Sequence, residues 1–527
     1  MPKIKQGGAK YIVIFAAVIL GLLAFKFIKG KKGIPNVLDT EQASTTTPGS
    51  GNYERPSEAN YVLQYNTFPG MEGILGMNEG MNPNKESQLY KKYGILLQIQ
   101  QVDAGEDARA SLKTGVADAI YCTVDALPID MSSGSDLLDV NAKVRLKINE
   151  SRGADAIVVT KLIKQVSDLR GKTIAYAAGT ASNTLLINTL DAAGLTIKDI
   201  TPKPVKDGVD AAAAFKSGAV DAAVVWAPDD EDCVAAIAGS KILISTSTAT
   251  QIIADGLLIR TDKYEANKDM HDKLAAAWME GNALMNTDAA FKTKANKLFV
   301  QGFKLDAAVV DAAANKIRFC TVDDNVKFFG YDATYTGVTG EKMYGRMAVK
   351  YTDAGLAKAP ASWRQVSDGS IVESLMKNTA LATAPTQKSD NGGVQDFKPA
   401  TKADETVAAI SNKMVSLTFP TASYTLDDQA KTIIDREITA LAQGFTNARI
   451  RIEGNTDNTG NAGSNKTLSY QRAQAVANYL SKEYKMSSNK FIIVGHGSDN
   501  PVPGCESNAD ADCKQRNRRT DFQIVLN

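Results

Sequence analysis

Residues Asp155–Leu195 read DAIVVTKLIKQVSDLRGKTIAYAAGTASNTLLINTLDAAGL. Two short apolar runs, Ala156–Thr160 and Thr173–Ala177, have strand length, and each is followed by sequence of helical character. The run from Lys172 passes into Ala178, Gly179, Thr180, Ala181, Ser182 and Asn183, and a helix is expected from near Thr184. Small hydroxyl residues at such a turn present backbone and side-chain donors at the positive end of a helix. That geometry binds carboxylate, sulfonate or phosphate, and the same residues also serve as a plain N-cap without ligand.

Outward from this stretch the pattern recurs. Lys216-Ser217-Gly218-Ala219-Val220-Asp221-Ala222 opens the apolar run Ala222–Trp226, and Lys113-Thr114-Gly115-Val116-Ala117-Asp118-Ala119 opens another. Two copies of helix, Lys-x-Gly-x-x-Asp-Ala and apolar strand predict two similar α/β lobes, with mostly parallel sheets covered by helices. Stretches rich in Thr, Ser, Pro, Gly and Asn flank this region at residues 33–56 and 380–403 and read as flexible tethers. The two-lobed domain is therefore placed at 57–379, its second lobe at about 153–250, and a compact α+β domain at 404–527.

With these residues the central region resembles the periplasmic substrate-binding proteins of ABC importers, in the group serving taurine, alkanesulfonates and thiamine-pyrimidine precursors. The resemblance covers about Asn60 to Leu375 and is densest from Asp155 to Asp262. It implies a small molecule held between lobes that close by hinge motion. Carried over by position, the ligand-binding candidates are Asn66, Phe68, Gly70, Thr123, Thr180, Ser182, Asn183, Trp226 and Asp229. Phe68 and Trp226 would wall the ligand, and the Thr180–Asn183 turn would hold an anionic end. The acidic run Asp229, Asp230, Glu231, Asp232 would disfavour anions, so a zwitterionic or cationic ligand stays open beside an anionic one. A second reading keeps the fold and uses it as a protein-interaction scaffold.

In the last domain an alternating strand, Arg449–Glu453, ends in Gly454-Asn455-Thr456-Asp457-Asn458-Thr459-Gly460. A helical run with Ala473, Val476, Ala477 and Leu480 on one face follows, then Phe491–Val494, Gly495-His496-Gly497 and Arg516-Asn517-Arg518-Arg519. Together these resemble the OmpA-like domain shared with peptidoglycan-associated lipoproteins and flagellar stator B subunits. The resemblance implies that Asp457 and Arg472 grip the diaminopimelate of the peptidoglycan stem peptide, as one fixed anion and one guanidinium fork clamp a zwitterion. Asn455, Thr456, Asn517 and Arg518 would complete the pocket; Asn455 stands where most members carry His. An intradomain ion pair is the other reading of Asp457 and Arg472. His496 is read as structural.

At 527 residues the chain exceeds one ordinary core. Apolar and charged shares of 44% and 23% are those of a globular protein, and a net charge of +1 gives no reason to expect nucleic acid. Cys122, Cys233 and Cys320 are widely spaced, whereas Cys505 and Cys513 bracket a short polar loop and read as a disulfide. His271 and His496 are the only histidines, and no catalytic set, metal cluster or phosphate-cradling loop assembles. The expectation is a binding protein rather than an enzyme, without cofactor or metal. Tyr11–Ile28 (YIVIFAAVILGLLAFKFI) is long enough to cross a bilayer, and no small-residue cleavage site follows it, so an uncleaved anchor is favoured over a signal peptide. It holds no acidic residue, which argues against ion conduction. Lysines match on both sides, so orientation follows from the wall domain. The expected protein is a single-pass inner-membrane one, N-terminus inside and its bulk in a Gram-negative-type periplasm. It would be a wall-held solute receptor or, alternatively, a structural or motor-associated tether serving an inner-membrane complex.

Overall fold

The computed structural model describes residues 53–385, 396–417, 419–420 and 422–526. The segment Tyr11–Ile28 lies outside the described residues; among those, no helix is long and apolar enough to cross a membrane.

The first lobe opens with β1 (Tyr61–Tyr65), β2 (Leu97–Gln101), β3 (Ala119–Thr123) and β4 (Ala142–Ser151). The second holds β5 (Asp155–Val159), β6 (Thr173–Ala177), β7 (Thr201–Val205), β8 (Ala222–Trp226) and β9 (Lys241–Ser245). The chain then returns to the first lobe for β10 (Ala254–Arg260) and β11 (Ile317–Phe319). The sheet orders are β11-β4-β10-β3-β1-β2 and β7-β6-β8-β5-β9. Helices cover both faces of the central strands, so β1 and β5 are buried along their whole length.

The expectation of mostly parallel sheets is corrected. β1 runs parallel to β2 and β3, but β10 is antiparallel to β3 and β4, and β11 to β4. In the second lobe β6 is parallel to β7 and β8, while β5 is antiparallel to β8 and β9. The cause is the pair of crossovers at residues 152–154 and 246–253. A strand entering from the other lobe comes in from the opposite end and must run against its neighbours. Helical sequence downstream of a strand cannot reveal that reversal.

A third tie joins the lobes. The helix Gly340–Asp353 lies against the second-lobe helix Ala181–Asp191, where Tyr351 Oη is 2.6 Å from Thr184 Oγ1 and the Asn188 amide meets the Met347 sulfur at 3.3 Å.

The C-terminal domain carries β12 (Ser411–Val415), β13 (Arg449–Asn455), β14 (Phe491–Gly497) and β15 (Thr520–Val525), in the order β12-β15-β13-β14. β13 and β14 are parallel and joined through the helix Ala462–Tyr484; the other pairs are antiparallel. That helix sits directly on the sheet: a Cβ on Gly454 would lie 2.1 Å from the Ser469 carbonyl oxygen. Only glycine permits this approach. The Cys505–Cys513 disulfide is present, with Cα atoms 5.0 Å apart.

The C-terminal domain shares a core with the second lobe. Ile434, Ile438, Leu441 and Phe445 belong to the same buried cluster as Leu185, Leu186, Ile252 and Ile253. Hydrogen bonds follow the seam. The Val166 amide donates to the Ile410 carbonyl at 2.7 Å and the Asn447 amide group to the Ser247 carbonyl at 2.9 Å, while the Gln443 amide group reaches the first-lobe side at the Thr336 carbonyl, 2.7 Å away. Thr250 and Thr446 join their hydroxyls across it. Thus the domain leans on the 246–253 crossover.

Candidate functional site

The Thr180 turn forms as an N-cap, and the helix begins at Ala181 rather than near Thr184. Thr180 Oγ1 accepts from the Ser182 amide at 3.2 Å and donates to the Ala177 carbonyl at 2.9 Å. Asn183 Oδ1 accepts from the Gly179 amide at 2.9 Å, while its Nδ2 is buried without a partner. From the end of β8, Trp226 Nε1 donates to Ser182 Oγ at 3.0 Å, and the Phe68 ring centroid lies 6.2 Å from that of Trp226. Phe68 belongs to the first lobe and Trp226 to the second, so the two rings meet across the junction. Asn66 shapes the approach by accepting from the Phe68 amide at 3.3 Å.

Gly70 and Thr123 fall in a second group, deeper in the first lobe. Gly70 has φ +140°, and its amide donates to Glu72 Oε2 at 2.6 Å. Thr123 Oγ1 is 3.0 Å from Tyr121 Oη, which donates to Asp255 Oδ1 at 2.8 Å. Asp229 joins neither group: its carboxylate is 3.6 Å from the Lys216 ammonium, against the neighbouring helix.

Four buried carboxyls at this junction escaped sequence reasoning: Glu72, Asp125, Asp155 and Asp255. Burial is the main cause of a raised pKa in each. Glu72 and Asp255 rise to about 7, Asp125 to about 8 and Asp155 to about 6. Their partners are neutral: the Ala254 amide for Asp125 and the Ser151 hydroxyl, 2.6 Å away, for Asp155. Each is a lone acid near a strand or helix end, with no motif around it.

In the C-terminal domain, Asp457 stands at the end of β13. Its Oδ1 accepts from the Thr459 amide at 2.8 Å and its Oδ2 from Arg518 Nη1 at 2.5 Å. Burial opposes its charge, but the Thr459 amide and the Arg518 guanidinium outweigh it and hold the carboxyl below its ordinary value. Arg472, on the long helix, donates to the Ser423 carbonyl at 3.0 Å and lies over the Phe419 ring at 4.8 Å. Burial first, then repulsion from Arg518, lowers its pKa, against the pull of Asp457. These three charges share one rim. Three other candidates turn inward. Asn455 Nδ2 donates to Asp521 at 3.1 Å, and Thr456 Oγ1 donates to the Asp457 carbonyl at 2.9 Å. Asn517 ties down the 502–508 loop through the Val502 amide, the Cys505 carbonyl and Asn508. His496 Nε2 is 3.3 Å from Glu453 Oε2.

Two shallow depressions, of 360 and 380 Å³, lie elsewhere: one beside Leu162 and Val220, the other beside Lys292 and Asn296. Neither borders the junction or the Asp457 rim.

Residues 418–518 match the OmpA family, and residues 83–300 the NMT1-like family. Over 154 residues the chain is 34% identical to an Escherichia coli K12 protein described as binding aliphatic sulfonates, covering 28% of this chain and 46% of that protein. Over 80 residues it is 44% identical to the peptidoglycan-binding protein ArfA of Mycobacterium tuberculosis, covering 15% and 23%. The chain thus spans less than half the length of these relatives. Among solved structures it is similar to the periplasmic aliphatic sulphonate binding protein SsuA of Escherichia coli, at 21% identity, TM-score 0.45, and 58% and 96% coverage. It is also similar to the desulfurization enzyme DszB, at 13% identity, TM-score 0.41, and 60% and 99% coverage.

Proposed function

We propose that this chain, which carries an OmpA domain after a two-lobed domain of the binding-protein type, tethers a solute-binding domain to the cell wall. Tyr11–Ile28 would anchor it in the inner membrane with the remainder in the periplasm. The C-terminal domain would grip the diaminopimelate of the peptidoglycan stem, and the two lobes would take a small anionic or zwitterionic solute without chemical conversion. The observation that carries this reading is the rim of Asp457, Arg472 and Arg518, with the Arg518–Asp457 pair at 2.5 Å. Asp457 offers an anion to an ammonium, and the guanidinium of Arg472 suits a carboxylate. Similarity to ArfA, a peptidoglycan-binding protein by name, supports the same assignment.

The test is co-sedimentation of the full chain with purified sacculi. Asp457→Ala and Arg472→Ala should each lose most of the bound fraction while keeping the melting behaviour of the parent. Undiminished binding by both variants would sink the assignment.

A further inference from the structure

The C-terminal domain touches both lobes, and the two contacts differ in kind. Against the second lobe the contact is a continuous apolar core, in which Leu441 and Phe445 share one buried cluster with Leu186, Leu190 and Ile252. Domains of one chain move against each other by default unless a large apolar interface joins them. The C-terminal domain and the second lobe therefore form one body.

Against the first lobe the contact is polar and falls on one segment, residues 336–353. Thr336 Oγ1 donates to the carbonyl of Tyr484, the last residue of the helix that carries Arg472, at 3.0 Å. The Gln443 amide group donates in return to the Thr336 carbonyl at 2.7 Å. Lys342 holds this turn to the first lobe, its ammonium donating to the Thr336 and Gly337 carbonyls at 3.3 and 3.0 Å. Met343 and Tyr344, on the same helix as Lys342, lie in the first-lobe core with Leu112 and Leu127.

The two contacts meet at Gly444. Its carbonyl accepts from the Gln251 amide, on the 246–253 crossover, at 3.4 Å. A Cβ there would lie 3.0 Å from Ile252 Cγ2 and 3.5 Å from Arg346 Nη1 on the first-lobe helix. One backbone position thus fills the space between the crossover and the first lobe.

Hinge motion needs a few residues at the crossovers to absorb the rotation, and a third body bonded to both lobes opposes it. Rotation would have to break the bonds at Thr336 or lift Gly444 from the crossover. We propose that the C-terminal domain is a splint across the lobe junction. It fixes the angle between the lobes and frees them only when its seat on residues 336–353 is broken. Control of the lobes then lies with the C-terminal domain rather than with a solute alone. The inference goes beyond the reading above and does not depend on what the lobes hold.

The experiment is double electron–electron resonance on the full chain in detergent, with spin labels at Lys297→Cys in the first lobe and Lys198→Cys in the second. Both positions are exposed, and the three free cysteines are buried. The parent should give one narrow distance distribution. Gly444→Leu, a wedge at the seam, should shift that distribution or at least double its width. Gly345→Leu adds the same bulk where nothing lies within 4 Å and should leave it as in the parent. Thr336→Val combined with Gln443→Leu removes the polar seat without a wedge, guards against a folding defect, and should also broaden it. A parent already spread over several distances, or a folded seam variant that keeps the parent's narrow distribution, would overturn the splint. The wall and receptor readings would stand in either case.

Discussion

Lys413, on the first strand of the C-terminal domain, lies 3.0 Å from Asp191, the last residue of the helix that begins at the Thr180 turn. Lys413 also meets Glu437 at 3.0 Å, and Asp191 also meets Lys350 at 2.8 Å. One charge network thus joins the C-terminal domain to both helices at the lobe junction. Burial opposes the Asp191 charge, but the two lysines prevail and hold its carboxyl below the ordinary value.

Lys413→Met should therefore cost about 1–2 kcal/mol in urea unfolding at pH 7. A depressed carboxylate contributes fully above its unfolded value, near 3.9, and the contribution is lost as pH falls through the lower folded value. The gap between parent and variant should shrink below pH 4. A gap that persists at pH 2 would exclude this ion pair as its source.

Lys490 is buried, and its ammonium donates to the carbonyls of Phe445, Thr446 and Ala448 at 2.7, 2.9 and 2.9 Å. These residues face the 246–253 crossover. Lys490→Met leaves three carbonyls without this donor and should lower stability by about 2–4 kcal/mol. Burial pushes the Lys490 pKa down to about 7, below an unfolded value near 10.4. The unfolded chain then binds more protons, so stability should climb between pH 7 and pH 10. Melting temperatures across that range, compared with those of the variant, measure it.

Of the three tryptophans, Trp278 and Trp363 are buried, and Trp226 is covered in part by Phe68. Phe68→Ala should uncover the indole, shifting emission to the red and raising quenching by acrylamide. Unchanged emission would mean that the two lobes do not meet at these rings in solution.

The Cys505–Cys513 bond closes a loop of eight residues' separation. Chain-entropy reasoning gives such a cross-link about 2–3 kcal/mol. Cys513→Ser should lower the unfolding free energy in urea by that amount. Reductant should do the same to the parent and nothing to the variant.

Strand and helix identity was legible because it rests on local period. Thr173–Ala177 and Ala222–Trp226 are strands in the structure as expected. Asp457, Arg472 and Arg518 were expected together from the resemblance to the OmpA-like domain, and they stand close enough to act on one another's charge. Asn517, which the same resemblance placed beside them, has its amide engaged with the loop from Val502 to Asn508.

The sequence by itself determined the order of the two-lobed and OmpA-type regions and the disulfide partners, both matters of position along the chain. Tertiary structure alone decided strand direction, the seam between the C-terminal domain and the 246–253 crossover, and the gathering of Glu72, Asp125, Asp155 and Asp255. Each of these acids is unremarkable in its own neighbourhood. The crossovers bring Asp155 and Asp255 together and Asp255 close to Asp125, while Glu72 and Asp255 both act on Tyr65. Burial there then removes the water that would otherwise satisfy them.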